Sequence, residues 1–174
     1  MENVTSSATT AFRVPGWSWD GEMLAFLERR GDDFLGLFVA NRRGGEKRVV
    51  LQVPMTRASF LWSPIAHELA VAVQGNSGES FYSDIAIHRV DGSPSVSLVA
   101  GVVVAFFWAP DGKKIAYVDF DPAKRRFNLW VVNTDGSGRR MLAEFVPSAD
   151  LLNLFAYFDQ YAESNSIWSP DSRY

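Results

Sequence analysis

Apolar residues in this chain come in short runs that are apolar at nearly every position and are separated by turn residues at regular intervals. Examples are Met23-Leu24-Ala25-Phe26-Leu27, Leu69-Ala70-Val71-Ala72-Val73 and Ile115-Ala116-Tyr117-Val118. Their length and their β-branched and aromatic content predict strands. A half-exposed sheet would alternate apolar with polar residues. Near-continuous apolar runs instead predict sheets covered on both faces. Asp91-Gly92-Ser93 and Asp135-Gly136-Ser137-Gly138 each lie between two such runs, and Asp-Gly is a strong hairpin signal.

The runs belong to a repeat. Four segments align without gaps: Trp17-Ser18-Trp19-Asp20-Gly21, Trp62-Ser63-Pro64-Ile65-Ala66, Trp108-Ala109-Pro110-Asp111-Gly112 and Trp168-Ser169-Pro170-Asp171-Ser172. The intervals between their tryptophans are 45, 46 and 60 residues. Ser-Pro-Asp-Gly suits a type I turn: Pro presets φ, Asp bonds the nearby backbone and Gly takes the last position. Trp17, Trp62, Trp108, Asp111, Gly112, Trp168, Pro170 and Asp171 are therefore read as structural residues of the repeat. Each repeat has a second half, as in Phe127-Asn128-Leu129-Trp130-Val131-Val132, then a Gly-containing turn and another run. Four short strands joined by three loops in about 45 residues is the size of a propeller blade.

The predicted fold is all-β: a β-propeller of about three four-stranded blades plus the first strand of a fourth. Blade one covers about 12–53, blade two about 58–100 and blade three about 102–146, with a helical insert at about 147–161 and the start of blade four at about 162–174. An irregular β-sandwich is the rival. The chain stops where the next strand of blade four is due, and three blades do not close a ring. A truncated gene or fragment is the expectation, and self-association through open blade edges is the alternative.

W-S-P-D-G, a strand, a second strand and then N-x-D-G-S-G resembles the WD-like propeller repeats of TolB and its relatives, most closely over residues 108–142. Similar repeats form the propeller of prolyl-oligopeptidase and dipeptidyl-peptidase enzymes. The second copy departs from the pattern, with Ile65-Ala66 in place of Asp-Gly. The resemblance implies protein interaction in a periplasmic or extracytoplasmic location. Met1-Glu2-Asn3-Val4-Thr5-Ser6 has neither the basic nor the apolar region of a signal peptide.

The long third interval carries the one helical pattern. Ser148 is a candidate N-cap with Asp150 in the first turn, and Leu151, Leu154, Phe155 and Phe158 fall on one face. Two readings stand: a helix buried against the propeller end, or a partner-docking insert. On the second, Leu151, Phe155, Tyr157, Phe158 and Tyr161 are the candidate interaction surface.

Composition narrows the chemistry. The chain is 47% hydrophobic and 21% charged with net charge −3, a globular balance. Lys124-Arg125-Arg126 and Arg139-Arg140 are too short for a nucleic-acid footprint. The longest apolar stretch, residues 96–110, is interrupted by Ser97 and Gly101 and is too short to span a membrane. There is no cysteine, and His67 and His88 have no metal-ligand spacing. Gly75-Asn76-Ser77-Gly78-Glu79 lacks the last glycine of a nucleophile elbow. Asp119-Phe120-Asp121 has too few ligands for a calcium loop.

No catalytic, metal or cofactor residue is expected, and the partner is a protein or peptide. The leading expectation is a non-catalytic interaction scaffold. The alternative is the gating propeller of a prolyl-oligopeptidase-type serine peptidase, whose catalytic domain lies outside this chain. A third reading is a sugar- or ligand-binding propeller using aromatics such as Phe155 and Tyr157.

Overall fold

A computed structural model describes residues 15–54, 57–75, 81–162 and 167–173. Twelve strands form three antiparallel four-stranded sheets. The first holds β1 (Gly16–Trp17), β2 (Met23–Arg30), β3 (Phe34–Asn41) and β4 (Arg48–Pro54). The second holds β5 (Ala58–Trp62), β6 (Glu68–Val73), β7 (Tyr82–Arg89) and β8 (Val96–Val103). The third holds β9 (Ala105–Trp108), β10 (Lys114–Asp121), β11 (Arg126–Asn133) and β12 (Arg140–Phe145). Each sheet is an up-and-down meander in chain order, the architecture of a propeller blade.

The apolar runs are explained by stacking. Phe60, Trp62, Leu69 and Val71 of blade two share a core cluster with Ala25, Leu27, Leu37 and Val39 of blade one. The alternate residues Leu61, Ala70, Ala72, Ile85 and Ile87 share another with Phe106, Ile115 and Tyr117 of blade three. Both faces of blade two are thus dry, so neither set of alternating positions is polar.

A repeated hydrogen bond joins the blades. The Trp62 indole N–H donates to the Gly16 carbonyl at 2.8 Å, Trp108 to Leu61 at 3.2 Å, and Trp168 to Phe107 at 3.2 Å. In every case the acceptor belongs to the residue just before the preceding motif tryptophan. The longer third interval leaves this joint unchanged, so the insert loops out of an otherwise regular series.

The turns after the tryptophans close as the motif predicts. The N–H of Gly21, Gly112 and Ser172 each donates to the carbonyl three residues back at 2.9 Å. The carboxylates of Asp20, Asp111 and Asp171 accept from the backbone N–H two residues on. The closing residue needs positive φ: 71° at Gly21, 67° at Gly112 and 60° at Ser172. At Ser172 the buried hydroxyl accepts from the Asp111 N–H at 2.9 Å, a bond that glycine could not make.

Gly112→Ala is expected to cost about 1–2 kcal/mol for the left-handed backbone alone. Its new Cβ would also lie 2.7 Å from Ile65 Cδ1. Ile65 is half-exposed and can swing aside. In urea unfolding, adding Ile65→Ala should recover the contact part of the loss and leave the backbone part.

The insert folds as two short helices, α1 (Ala149–Ala156) and α2 (Phe158–Tyr161). Ser148 caps α1 by accepting from the Leu151 N–H at 3.2 Å, and Asp150 lies in the first turn. The periodicity predicts one unbroken helix, but Tyr157 leaves the helical region at φ −125°. Its N–H still reaches back to the Leu154 carbonyl at 3.2 Å. The kink lets Phe158 enter the core between two blades.

Candidate functional site

The structure divides the five predicted interaction residues. Phe155 is 5% exposed and Phe158 1%, so neither is a surface group; this corrects their place in the candidate surface. Phe158 packs against Phe106 at 4.9 Å, Phe107 at 5.9 Å and Tyr82 at 6.1 Å between ring centroids. Phe155 meets Phe145. Buried Ser59 of β5 donates its hydroxyl to Asp159 and ties α2 to blade two. Leu151 is half-buried against the same core, while Tyr157 and Tyr161 are exposed. Amphipathic spacing marks the inward face here: burial of apolar area from water explains Phe155 and Phe158, while Tyr157 and Tyr161 stay on the outer side.

A different site is built from the motif turns. A cavity of about 450 Å³ is lined by Trp17, Trp19, Trp62, Trp108, Pro64 and Pro110, with Ala162 from the end of the insert. Trp62 and Trp108 present ring surface to it while their N–H groups bond the neighbouring blade. They are 7% and 9% exposed, against 50% for Trp17 and 59% for Trp19. Neither Trp17 nor Trp19 has a hydrogen-bond partner among the described residues. Among the described residues the lining includes no charged side chain. Such a groove offers flat aromatic faces and two indole donors to an apolar or proline-bearing segment whose carbonyls can accept.

Trp19 is the residue that sequence reasoning missed. It stands where the other copies have Pro64, Pro110 and Pro170. A large aromatic replacing a turn proline was the available signal.

Beside the groove, Asp20 of blade one meets His67 of blade two at 2.8 Å. The Ser18 hydroxyl, donating to the Asp20 carboxylate at 2.6 Å, is the main cause that holds this carboxyl down to about 2. The Glu22 N–H and His67 act in the same direction. A depressed carboxyl stabilises the fold above its ordinary value of 3.8, and that contribution is lost as pH falls from there towards 2. A carboxyl-carbon titration should place the Asp20 midpoint near 2, and Ser18→Ala should return it towards 3.8.

The remaining polar groups are structural. Asp119 accepts from the Asn128 amide, and Asp121 accepts from the N–H groups of Ala123 and Lys124 in its own turn. Burial lowers the pKa of His88. The Tyr117 hydroxyl is pushed up to about 12 by burial, and the Arg139 guanidinium lies over the Tyr117 and Trp130 rings. Among the described residues no group of three or more His, Asp or Glu side chains is placed to hold a metal ion. Among them, too, no helix is long and apolar enough to cross a membrane. Ser77, the centre of the elbow-like segment, lies outside the described residues.

No family model matches the sequence. A stretch of 66 residues is 38% identical to the uncharacterized peptidase YuxL of Bacillus subtilis; it is 38% of this chain and 10% of that protein. An oligogalacturonate lyase solved in complex with manganese superposes with a TM-score of 0.67 at 15% identity, over 80% of this chain and 43% of its own. TolB from Acinetobacter baumannii gives 0.62 at 14% identity, over 84% and 35%. A prolyl endopeptidase gives 0.58 at 16% identity, over 77% and 22%. The chain thus spans a tenth of YuxL and less than half of each of these solved proteins. The fold is the β-propeller found in TolB and in prolyl-oligopeptidase propeller domains, present here as three blades.

Proposed function

We propose that this chain is a non-catalytic propeller module that binds an extended segment of polypeptide in the groove between its motif turns. The observation that supports it is the cavity, uncharged among the described residues, with two half-exposed tryptophans, Trp17 and Trp19, whose indole N–H groups have no partner among those residues. Each side of the groove is fixed by a blade, so the site is formed before any ligand arrives and little ordering cost falls on the protein. Phage-displayed peptides selected on the chain should bind the parent and lose about tenfold or more in affinity on Trp19→Ala, the loss of an exposed aromatic anchor. Binders unaffected by Trp19→Ala, or no enrichment, would remove this reading.

A second reading is favoured by the 38% identity to YuxL: the module serves as the propeller of a serine peptidase. Its role there is to admit peptides to a hydrolase domain elsewhere in the polypeptide. A fluorophosphonate probe applied to the natural full-length protein tests it. Labelling of a serine outside residues 1–174 supports the peptidase, and an unlabelled protein opposes it.

A further inference from the structure

Two walls of the groove come from neighbouring blades, and a polar contact ties them together. Ser18 and Trp19 lie in the turn that carries Asp20, and Ser63 and Pro64 in the turn that carries His67. The His67 Nε2 is 2.8 Å from the Asp20 carboxylate, and its ring meets the Trp62 ring edge-on at 6.4 Å. The repeat sets this contact apart. Five places after each motif tryptophan stand Glu22, His67, Lys113 and Arg173, and three places after it Asp20, Ile65, Asp111 and Asp171. Between blades two and three the corresponding pair is Ile65 with Lys113. Histidine is the side chain whose charge ordinarily changes between about pH 5 and pH 8.

The surrounding charges leave Asp20 as the deciding partner. Its carboxyl, held down to about 2, is ionised throughout that interval. Glu22 pairs with Arg42 at 3.2 Å, Glu68 with Arg89 at 2.9 Å, and Arg48 lies 3.9 Å from Glu46. The Asp91 carboxylate accepts from the Ser93 N–H. Arg48, Arg89, Glu68 and Asp91 line a cavity of about 400 Å³ beside His67, two cations against two anions.

We propose that His67 is a pH-sensitive latch on the groove: its protonation turns the Asp20 contact into an ion pair, fixes the Trp19 wall against the Trp62 wall and tightens the hold on an extended segment. The effect on binding rests on the reading of the groove as the binding site. A neutral imidazole makes the same contact only with its proton on Nε2, and without charge assistance. The two side chains are 43% and 22% exposed, so the gain is that of a solvent-screened pair, about two- to fivefold in affinity at the acid end.

The first test needs no ligand. In the full chain with nitrogen-15-labelled tryptophan, the Trp19 indole resonance, identified by its loss in Trp19→Phe, should move between about pH 5 and about pH 8. It should stay still in His67→Gln. The second test takes a phage-selected peptide whose binding is lost in Trp19→Ala. Its affinity for the parent should fall about two- to fivefold from the acid to the alkaline end. His67→Gln should hold the weaker value at both ends, and His67→Lys, charged at both, the tighter one. A Trp19 resonance that ignores pH, or that moves equally in His67→Gln, overturns the latch. So does a Trp19-dependent peptide whose pH step is absent from the parent or survives in either variant. Failure to select any such peptide removes the groove reading instead, and the indole resonance then decides the latch alone.

Discussion

Replacing Phe158 by alanine is expected to lower the stability of the chain by about 3–5 kcal/mol, the range for truncating a buried aromatic. The residue is 1% exposed, and its ring touches three others, on β7 and β9. Those partners are held by strand pairing and cannot collapse into the space left behind. The loss therefore includes a cavity as well as the transfer of the ring to water. Because Phe158 joins the insert to blades two and three at once, the insert should loosen first. Hydrogen exchange of residues 149–161 should rise more than that of β6 and β10. Tyr157→Ala is the contrast: its side chain is mostly in water, and the change should stay within about 0.5 kcal/mol.

Trp108 should be nearly as costly. Trp108→Ala is expected to lose about 3–5 kcal/mol, since a large, 9% exposed side chain goes from the joint between blades two and three. Trp108→Phe separates the two contributions. It retains most of the packing but leaves the buried Leu61 carbonyl without its donor, at a cost of about 1–3 kcal/mol. Urea denaturation of both variants measures the split. Equal losses would assign the whole effect to the N–H, and no loss in Trp108→Phe would assign it to packing.

The strands and their grouping into blades were legible because both rest on local chemistry. Near-continuous apolar runs follow from two dry faces, and the Trp-Ser-Pro-Asp-Gly turn writes its φ requirement into the residues themselves. The cap of α1 was legible for the same reason, since Ser148 meets its acceptor role within one turn. The kink at Tyr157 was not, because helical spacing fixes a face without saying what lies opposite it. Phe155 and Phe158 read equally well as a docking face and as core, and only Tyr82, Phe106 and Phe145 decide between the two. The inter-blade bonds were hidden for a different reason: their acceptors are main-chain carbonyls, which any residue supplies. The groove was hidden because it gathers residues from three repeats, Trp19 among them.

The joint between blades demands nothing of the acceptor's side chain, and Gly16, Leu61 and Phe107 serve equally well. Every unit thus carries its own plug and its own socket within two adjacent residues. A copied or deleted unit leaves a continuous series, whatever residue flanks the splice, and a gene can lengthen or shorten such an array in one step. Extra sequence can enter between units as well, as the α1–α2 excursion has done, provided that the next tryptophan returns to its place.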